Sequence, residues 1–148
     1  MSIPQKITAE EFISNNSKKK RNKYNASKTE YNGIIYDSKL EASYALGYDK
    51  KKQAKIVLDW SRQHCFELLI NSTKICKYRI DFRVVNTDGW IDYVEVKGMP
   101  TALWKLKWKI TKALFTDLTK GENARLILNN EVVMVSETKK TYKPIGLF

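Results

Sequence analysis

Apolar residues recur at helical spacing in two segments of the chain. In the first segment they are four residues apart, at Leu40, Tyr44 and Tyr48. Asp37 or Ser38 is suited to cap the N-terminus, and Glu41 then lies in the first turn, where the helix dipole favours a carboxylate. The run ends in lysines, as the C-terminal end of a helix often does. The pattern predicts a helix beginning near Ser38.

The second helical segment begins at Thr101, a suitable cap, and runs to about Lys120. Its predicted core face consists of Leu103, Leu106, Ile110, Ala113, Leu114 and Leu118. Another face carries Lys105, Lys109 and Lys112. Trp104, Trp108 and Phe115 also fall at helical spacing. They either widen the core stripe, which is the simpler interpretation, or, interleaved with the lysines, stack on unpaired bases.

Strand-like runs surround these helices. The predicted strands are Ile56–Trp60, Cys65–Ile70, Ile75–Val85, Trp90–Val96, Ala124–Leu128 and Glu131–Val135. Turn residues separate them at Asn71-Ser72, Asn86 to Gly89, and Asn129-Asn130. Thr29–Tyr36 is predicted to be a short hairpin or extended segment. This order of elements predicts a mixed α/β domain with a sheet between helices.

Charge changes the picture, because 27 Lys and Arg oppose 16 Asp and Glu over 148 residues, a net charge of +11. Such a surplus favours nucleic acid as partner and, second, an anionic membrane. The predicted organisation is a basic arm at 1–28, a folded domain at 29–136 and a tail at 137–148. The arm's candidate phosphate contacts are Lys18, Lys19, Lys20, Arg21 and Lys23.

The scarcity of cysteine and histidine excludes several kinds of site. Cys65 and Cys76 form no metal-binding spacing and are expected to pack as small apolar residues. The lone His64 does not suffice for a zinc finger or an HNH-type site, and it is expected to be a structural or surface residue. The chain shows no bilayer-spanning run and no signal-peptide core, so we expect an intracellular protein with no membrane partner.

One predicted hairpin carries candidate chemistry. A three-residue loop of Thr87, Asp88 and Gly89 would place Asp81 directly opposite Glu95, with their side chains on one face. Lys97, two residues after Glu95, projects to that same face. A loop with an even number of residues would instead separate the two carboxylates.

Three motifs in this order resemble the PD-(D/E)xK nuclease superfamily. They are SKLEA at 38–42, YRIDF at 78–82 and YVEVKG at 93–98. The set is most similar to phage endonuclease I-type junction-resolving enzymes and small phage-encoded relatives. One departure is that Arg79-Ile80 stands where the superfamily has a Pro before the Asp. The resemblance implies a restriction-endonuclease-like fold, a mixed central sheet flanked by helices with an αβββαβ core.

The resemblance also implies roles for individual residues. Asp81 and Glu95 would bind Mg²⁺, for which Mn²⁺ substitutes, with the Val96 carbonyl as a further ligand. Glu41 would complete the acidic cluster, and Lys97 would orient or deprotonate the attacking water and stabilise the charge that develops. Gln63 is either an accessory polar group or a surface amide.

The function implied is a DNA endonuclease that nicks duplex DNA or cleaves branched DNA such as Holliday junctions, in phage or mobile-element DNA recombination. One site suffices for a nick, whereas cutting both strands requires a homodimer or two binding events. The alternatives are a non-catalytic DNA-binding protein on the same scaffold and a basic assembly protein.

Overall fold

Two helices and seven strands make up the described part of the chain, residues 27–138 of a computed structural model. The strands are β1 (Thr29–Tyr31), β2 (Ile34–Tyr36), β3 (Val57–Ile70), β4 (Thr73–Asn86), β5 (Ile91–Glu95), β6 (Ala124–Leu128) and β7 (Glu131–Ser136). The helices are α1 (Lys39–Gln53) and α2 (Ala102–Leu118). None of the described helices is long and apolar enough to cross a membrane.

The main sheet has five strands in the order β3-β4-β5-β6-β7. Neighbouring strands are antiparallel except β5 and β6, which are parallel and are connected by α2. Strands β1 and β2 form a separate hairpin. The prediction of a mixed α/β fold with an αβββαβ order is confirmed, and β7 adds one antiparallel strand at the far edge.

The two helices pack on opposite faces of this sheet. Successive side chains of a strand point to opposite faces. In β5, Val94 belongs to the core cluster that contains Ala45 of α1, whereas Tyr93 belongs to the cluster that contains Phe115 of α2. The predicted sheet between helices is therefore present.

The covered face of the long β3–β4 hairpin packs in the α2 layer along one part of its length and in the α1 layer along the other. In β4, Tyr78 and Ile80 pack in the α2 cluster, whereas Phe82, on the same strand face, packs in the α1 cluster. Asp81 lies at the crossing point. On β3, Gln63 interrupts the pairing there, with a left-handed φ of 54°. Asp81 therefore lies at the junction of the two layers.

Both predicted helices form, but the buried face of α2 was only partly predicted, since Ile110, Leu114 and Leu118 are partly buried against the core cluster. Leu103 and Leu106 are exposed, and the side chains that α2 buries are those of Trp108, Thr111 and Phe115. Large aromatic side chains remove more apolar area from water than leucines do, so the helix is rotated to bury them. The interpretation that the tryptophans belong to the core is favoured by this packing.

Three smaller expectations were also wrong. Leu40 is exposed, and α1 buries Ala42, Ala45 and Tyr48, because small alanines allow the helix to approach the sheet closely. The two predicted strands before Asn71 are one continuous strand, β3. Cys65 is exposed because its face of the hairpin points away from the apolar cores, while Cys76 is partly buried as expected.

Candidate active site

The first turn of α1 positions Glu41. The Ser38 hydroxyl accepts a hydrogen bond from the Glu41 backbone N–H at 3.1 Å, which caps the helix. The same hydroxyl lies 3.3 Å from Glu41 Oε1, to which it donates. One residue therefore fixes both the helix start and the direction of the carboxylate.

The β4–β5 hairpin has the predicted register. Phe82 pairs with Val94, and the Asn86 backbone N–H donates to the Trp90 carbonyl at 2.9 Å, so the loop has three residues. Gly89 occupies the left-handed position with φ 93°. Continuing the register by one pair sets Asp81 opposite Glu95.

Asp81 is held at the point where β5 separates from β4. Its Oδ2 accepts a hydrogen bond from the Val96 backbone N–H at 2.8 Å. This bond replaces a strand-to-strand bond just past the last backbone pair of the hairpin. It fixes one oxygen of Asp81 beside the segment that carries Glu95 and Lys97.

A single cleft of about 530 Å³ brings the predicted residues together. The candidate active-site residues that line it are Glu41, Asp81, Glu95, Val96 and Lys97. Other parts of its wall come from Tyr78, Arg79, Met99 and Trp104. Glu41 and Trp104, which are 63 positions apart in sequence, thus share one cavity between α1, the hairpin and the start of α2.

Glu95 is the most deeply buried of these acids, with 5% of its surface exposed. Its Oε1 accepts a hydrogen bond from the Trp104 indole N–H at 3.1 Å, and that N–H also lies 3.0 Å from the Tyr78 hydroxyl. Its Oε2 is buried and has no hydrogen-bond partner. A buried carboxylate oxygen without a partner is costly, so a ligand that satisfied it would stabilise the fold.

Burial raises the pKa values of all three carboxyl groups, and repulsion from Asp81 adds to the effect at Glu41 and Glu95. Burial, with repulsion from Asp81, raises the pKa of Glu95 to about 7, against the lowering effect of the neighbouring Trp104 and Tyr78 side chains. Burial, with repulsion from Asp81 and Asp37, raises the pKa of Glu41 to about 6. Burial also raises the pKa of Asp81, although the Val96 N–H and Lys97 oppose it. A bound cation would offset this repulsion.

The donor set fits a hydrated magnesium ion. Within residues 27–138, no three His, Cys, Asp or Glu side chains come close enough together to hold a metal ion. Mg²⁺ characteristically keeps several waters and takes only one or two carboxylates. Asp81 and Glu95 would supply these, and the unpartnered Oε2 of Glu95 is the oxygen free to do so.

Positive side chains border the acids. Lys97 Nζ lies 5.7 Å from the centre of the Trp104 ring, over its face. Its charge lowers the pKa values of Asp81 and Glu95. Arg62 of β3 lies over the Tyr36 ring at 4.5 Å and lowers the pKa values of Asp81 and Glu41.

Sequence reasoning did not place Arg62, Tyr78, Arg79 or Trp104 beside the acids. Tyr78 and Arg79 stand in the quoted YRIDF motif, so proximity to Asp81 was the signal that could have found them. Arg62 and Trp104 reach the acids only through strand pairing and helix docking. No local pattern marks them.

The remaining candidates among residues 27–138 lie outside the cleft lining. Lys105 and Lys109 are exposed on α2, and Lys112 is half-buried. Gln63 is exposed on β3. The candidates in the arm, at positions 18–21 and 23, precede the first described residue. His64 packs against the Phe66 and Tyr93 rings at 5.0 and 5.3 Å, as expected of a structural residue.

Comparison with known protein families identifies the family of this chain. The family described as "Protein of unknown function (DUF1064)" matches residues 21–127, more than two thirds of the chain. The chain belongs to the DUF1064 family. The DUF1064 match contains Glu41, Asp81, Glu95 and Lys97 and ends within β6. No curated protein and no solved structure matches the chain.

Proposed function

We propose that this chain is a metal-dependent endonuclease that hydrolyses phosphodiester bonds in DNA. The observation that carries the proposal is the shared cleft, in which three carboxyl groups with raised pKa values stand beside Lys97. Their order along the chain and the elements that hold them match the D…ExK pattern. The net charge of +11 supports a polyanionic substrate.

In this proposal each residue of the cleft has a defined task. A bound Mg²⁺ would polarise the scissile phosphate and lower the pKa of a water ligand. Asp81 and Glu95 would hold the ion, and Glu41 would complete the acidic wall. Lys97 orients the attacking water and stabilises the negative charge that develops on the phosphate oxygens. The protein would act inside the cell, on phage or mobile-element DNA.

The second candidate is a DNA-binding protein that uses the same scaffold without catalysis. It is favoured by one observation: among residues 27–138, no three acidic side chains are close enough together to hold a metal ion. It requires the charge but not the carboxyl groups. Removing one carboxylate therefore separates the two candidates.

The test is cleavage of supercoiled plasmid and of a labelled four-way junction, with Mg²⁺, Mn²⁺ or EDTA. We expect metal-dependent nicking or junction cleavage by the unmodified chain and none by Glu95→Gln. Glu131→Gln is the matched control, because Glu131 is an exposed acid at the start of β7. Its cleavage should equal that of the unmodified chain.

A separate experiment measures binding of the same DNA without metal. Glu95→Gln should bind it as tightly as the unmodified chain does. Binding without cleavage by the unmodified chain, in both Mg²⁺ and Mn²⁺, would reject the endonuclease and leave the DNA-binding protein. Cleavage that survives Glu95→Gln would place the chemistry elsewhere.

A further inference from the structure

Trp104 contacts two of the candidate catalytic residues at once. Its indole N–H donates to Glu95 Oε1 at 3.1 Å, and Lys97 Nζ lies over its ring at 5.7 Å. The ring itself is stacked on Trp108, with ring centres 5.4 Å apart and planes inclined by 16°. The helix cap at Thr101, which accepts from the Trp104 backbone N–H at 3.1 Å, fixes the turn that carries it.

The contact divides the two oxygens of Glu95 between different tasks. Oε1 is engaged by Trp104, whose N–H is shared with the Tyr78 hydroxyl. Oε2 is buried, unpartnered and part of a residue that lines the cleft. A carboxylate with one oxygen engaged by the protein offers a metal ion a single ligand atom, which suits the octahedral shell of Mg²⁺.

We propose that Trp104 is a positioning residue, which engages Glu95 Oε1 so that only Oε2 is free for a divalent ion, and which keeps the Lys97 ammonium beside it. The inference rests on the proposed metal chemistry of the cleft. Outer-shell hydrogen bonds of this kind orient metal ligands, and their loss weakens metal affinity by roughly 10–100-fold. The lysine contact adds a weaker attraction to the ring face.

Trp104→Phe tests the proposal, because it keeps an aromatic ring and removes the N–H. We expect the affinity for Mn²⁺, measured by calorimetry without DNA, to fall by roughly 10-fold or more. Trp108→Phe is the control, since Trp108 stacks in the same cluster and makes no hydrogen bond to the acids in the described contacts. It should bind Mn²⁺ as the unmodified chain does.

A second measurement does not depend on any variant at position 104 folding well. The chain has four tryptophans, so its ¹H–¹⁵N spectrum should contain four indole cross-peaks. In metal-free protein, Glu95→Ala should move the Trp104 cross-peak and leave those of Trp60 and Trp90 in place. Mg²⁺ should move the same peak in the unmodified chain.

The outcomes separate this proposal from the proposed function. If the Trp104 cross-peak responds and Mn²⁺ affinity falls, but no DNA is cut, the positioning role stands and the endonuclease is rejected. If DNA is cut, but Trp104→Phe binds Mn²⁺ normally and the cross-peak ignores both Glu95→Ala and Mg²⁺, the positioning role is overturned. An equal loss of affinity in Trp108→Phe would also overturn it, because packing alone would then explain the effect.

Discussion

At the scale of single residues, the cleft is built from groups that are unstable together without a ligand. Glu95 is buried with one oxygen unpartnered, and Asp81 is near enough to Glu95 and Glu41 to raise the pKa values of both by repulsion. Such an arrangement stores free energy that a cation would release on binding. The metal-free chain should therefore respond to pH in a defined direction.

The free energy of unfolding of the metal-free chain should fall as pH rises from about 4.5 to 7. Burial raises the pKa of Glu95 from 4.5 to about 7, so in this window the folded chain keeps a proton that the unfolded chain has released. Glu41 contributes between 4.5 and about 6. The loss should be on the order of a few kcal/mol, measured by urea denaturation at pH 5 and pH 7.5.

Two comparisons check the origin of this pH dependence. Glu95→Gln should show a smaller fall, whereas the exposed-acid variant Glu131→Gln should behave like the unmodified chain. Saturating Mg²⁺ should remove most of the fall, because a bound cation favours the ionised carboxylates. A pH dependence untouched by both Glu95→Gln and Mg²⁺ would contradict this account of the cleft.

At the scale of elements, Ser38 connects helix stability with the position of Glu41. Ser38→Ala removes the N-cap of α1 and the hydroxyl beside Glu41 Oε1. We expect the free energy of unfolding to fall by roughly 1 kcal/mol and metal-dependent cleavage to weaken. Denaturant titration and the plasmid assay measure the two effects.

Ser43→Ala is the matched control on the same helix. Its hydroxyl donates to the Leu40 carbonyl at 2.6 Å, inside α1, and it is exposed. Because alanine is the better helix former, this change should leave stability unchanged or slightly raise it. If Ser38→Ala and Ser43→Ala gave the same result, the cap would have no special part in the site.

Elements were predictable from sequence where a local signal decides the conformation. Gly89 at a left-handed position fixed the three-residue loop and hence the pairing of Phe82 with Val94. Ser38 and Thr101 were recognisable caps, and both cap their helices. Asp81, Glu95 and Lys97 follow from this register, so most of the candidate site was within reach.

Other features depend on competition between equally spaced patterns. In α2, one stripe begins at Leu103 and another at Trp104, and helical spacing alone does not rank them. Packing against the sheet decides, and the aromatic stripe is buried. The bond from Trp104 to Glu95 follows from that rotation, so no local pattern predicts it.

At the scale of the whole molecule, the positive charge is unevenly distributed. Residues 27–138 contain 18 Lys and Arg and 14 Asp and Glu, a net charge of +4, so +7 of the total of +11 lies in the other 36 residues. Residues 27–138 carry the candidate active site, and the other residues carry most of the net positive charge. Binding and cleavage should therefore be separable.

Replacing the five arm cations at positions 18–21 and 23 with glutamine tests this separation. Each lost phosphate contact lowers the slope of log affinity against log salt by about 0.9. We expect the slope to fall by up to about 4.5, measured by fluorescence anisotropy on duplex DNA. Metal-dependent cleavage at low salt should persist.

Lysines on the folded domain provide the comparison. Lys50 and Lys51, at the C-terminal end of α1, are exposed and lie outside the cleft lining. Their replacement by glutamine should change the slope less for each charge removed. An equal effect for each charge would mean that DNA affinity depends on net charge alone and that the arm makes no specific contact with phosphate.

The exposed Cys65 affects how the number of subunits can be measured. Its thiol is accessible on the uncovered face of the β3–β4 hairpin, opposite Arg79 of the cleft wall. Accessible thiols oxidise in air and can join two chains through a disulfide. Sizing the protein without a reducing agent would count these crosslinked pairs as dimers, and would misassign a nicking enzyme as one that cuts both strands.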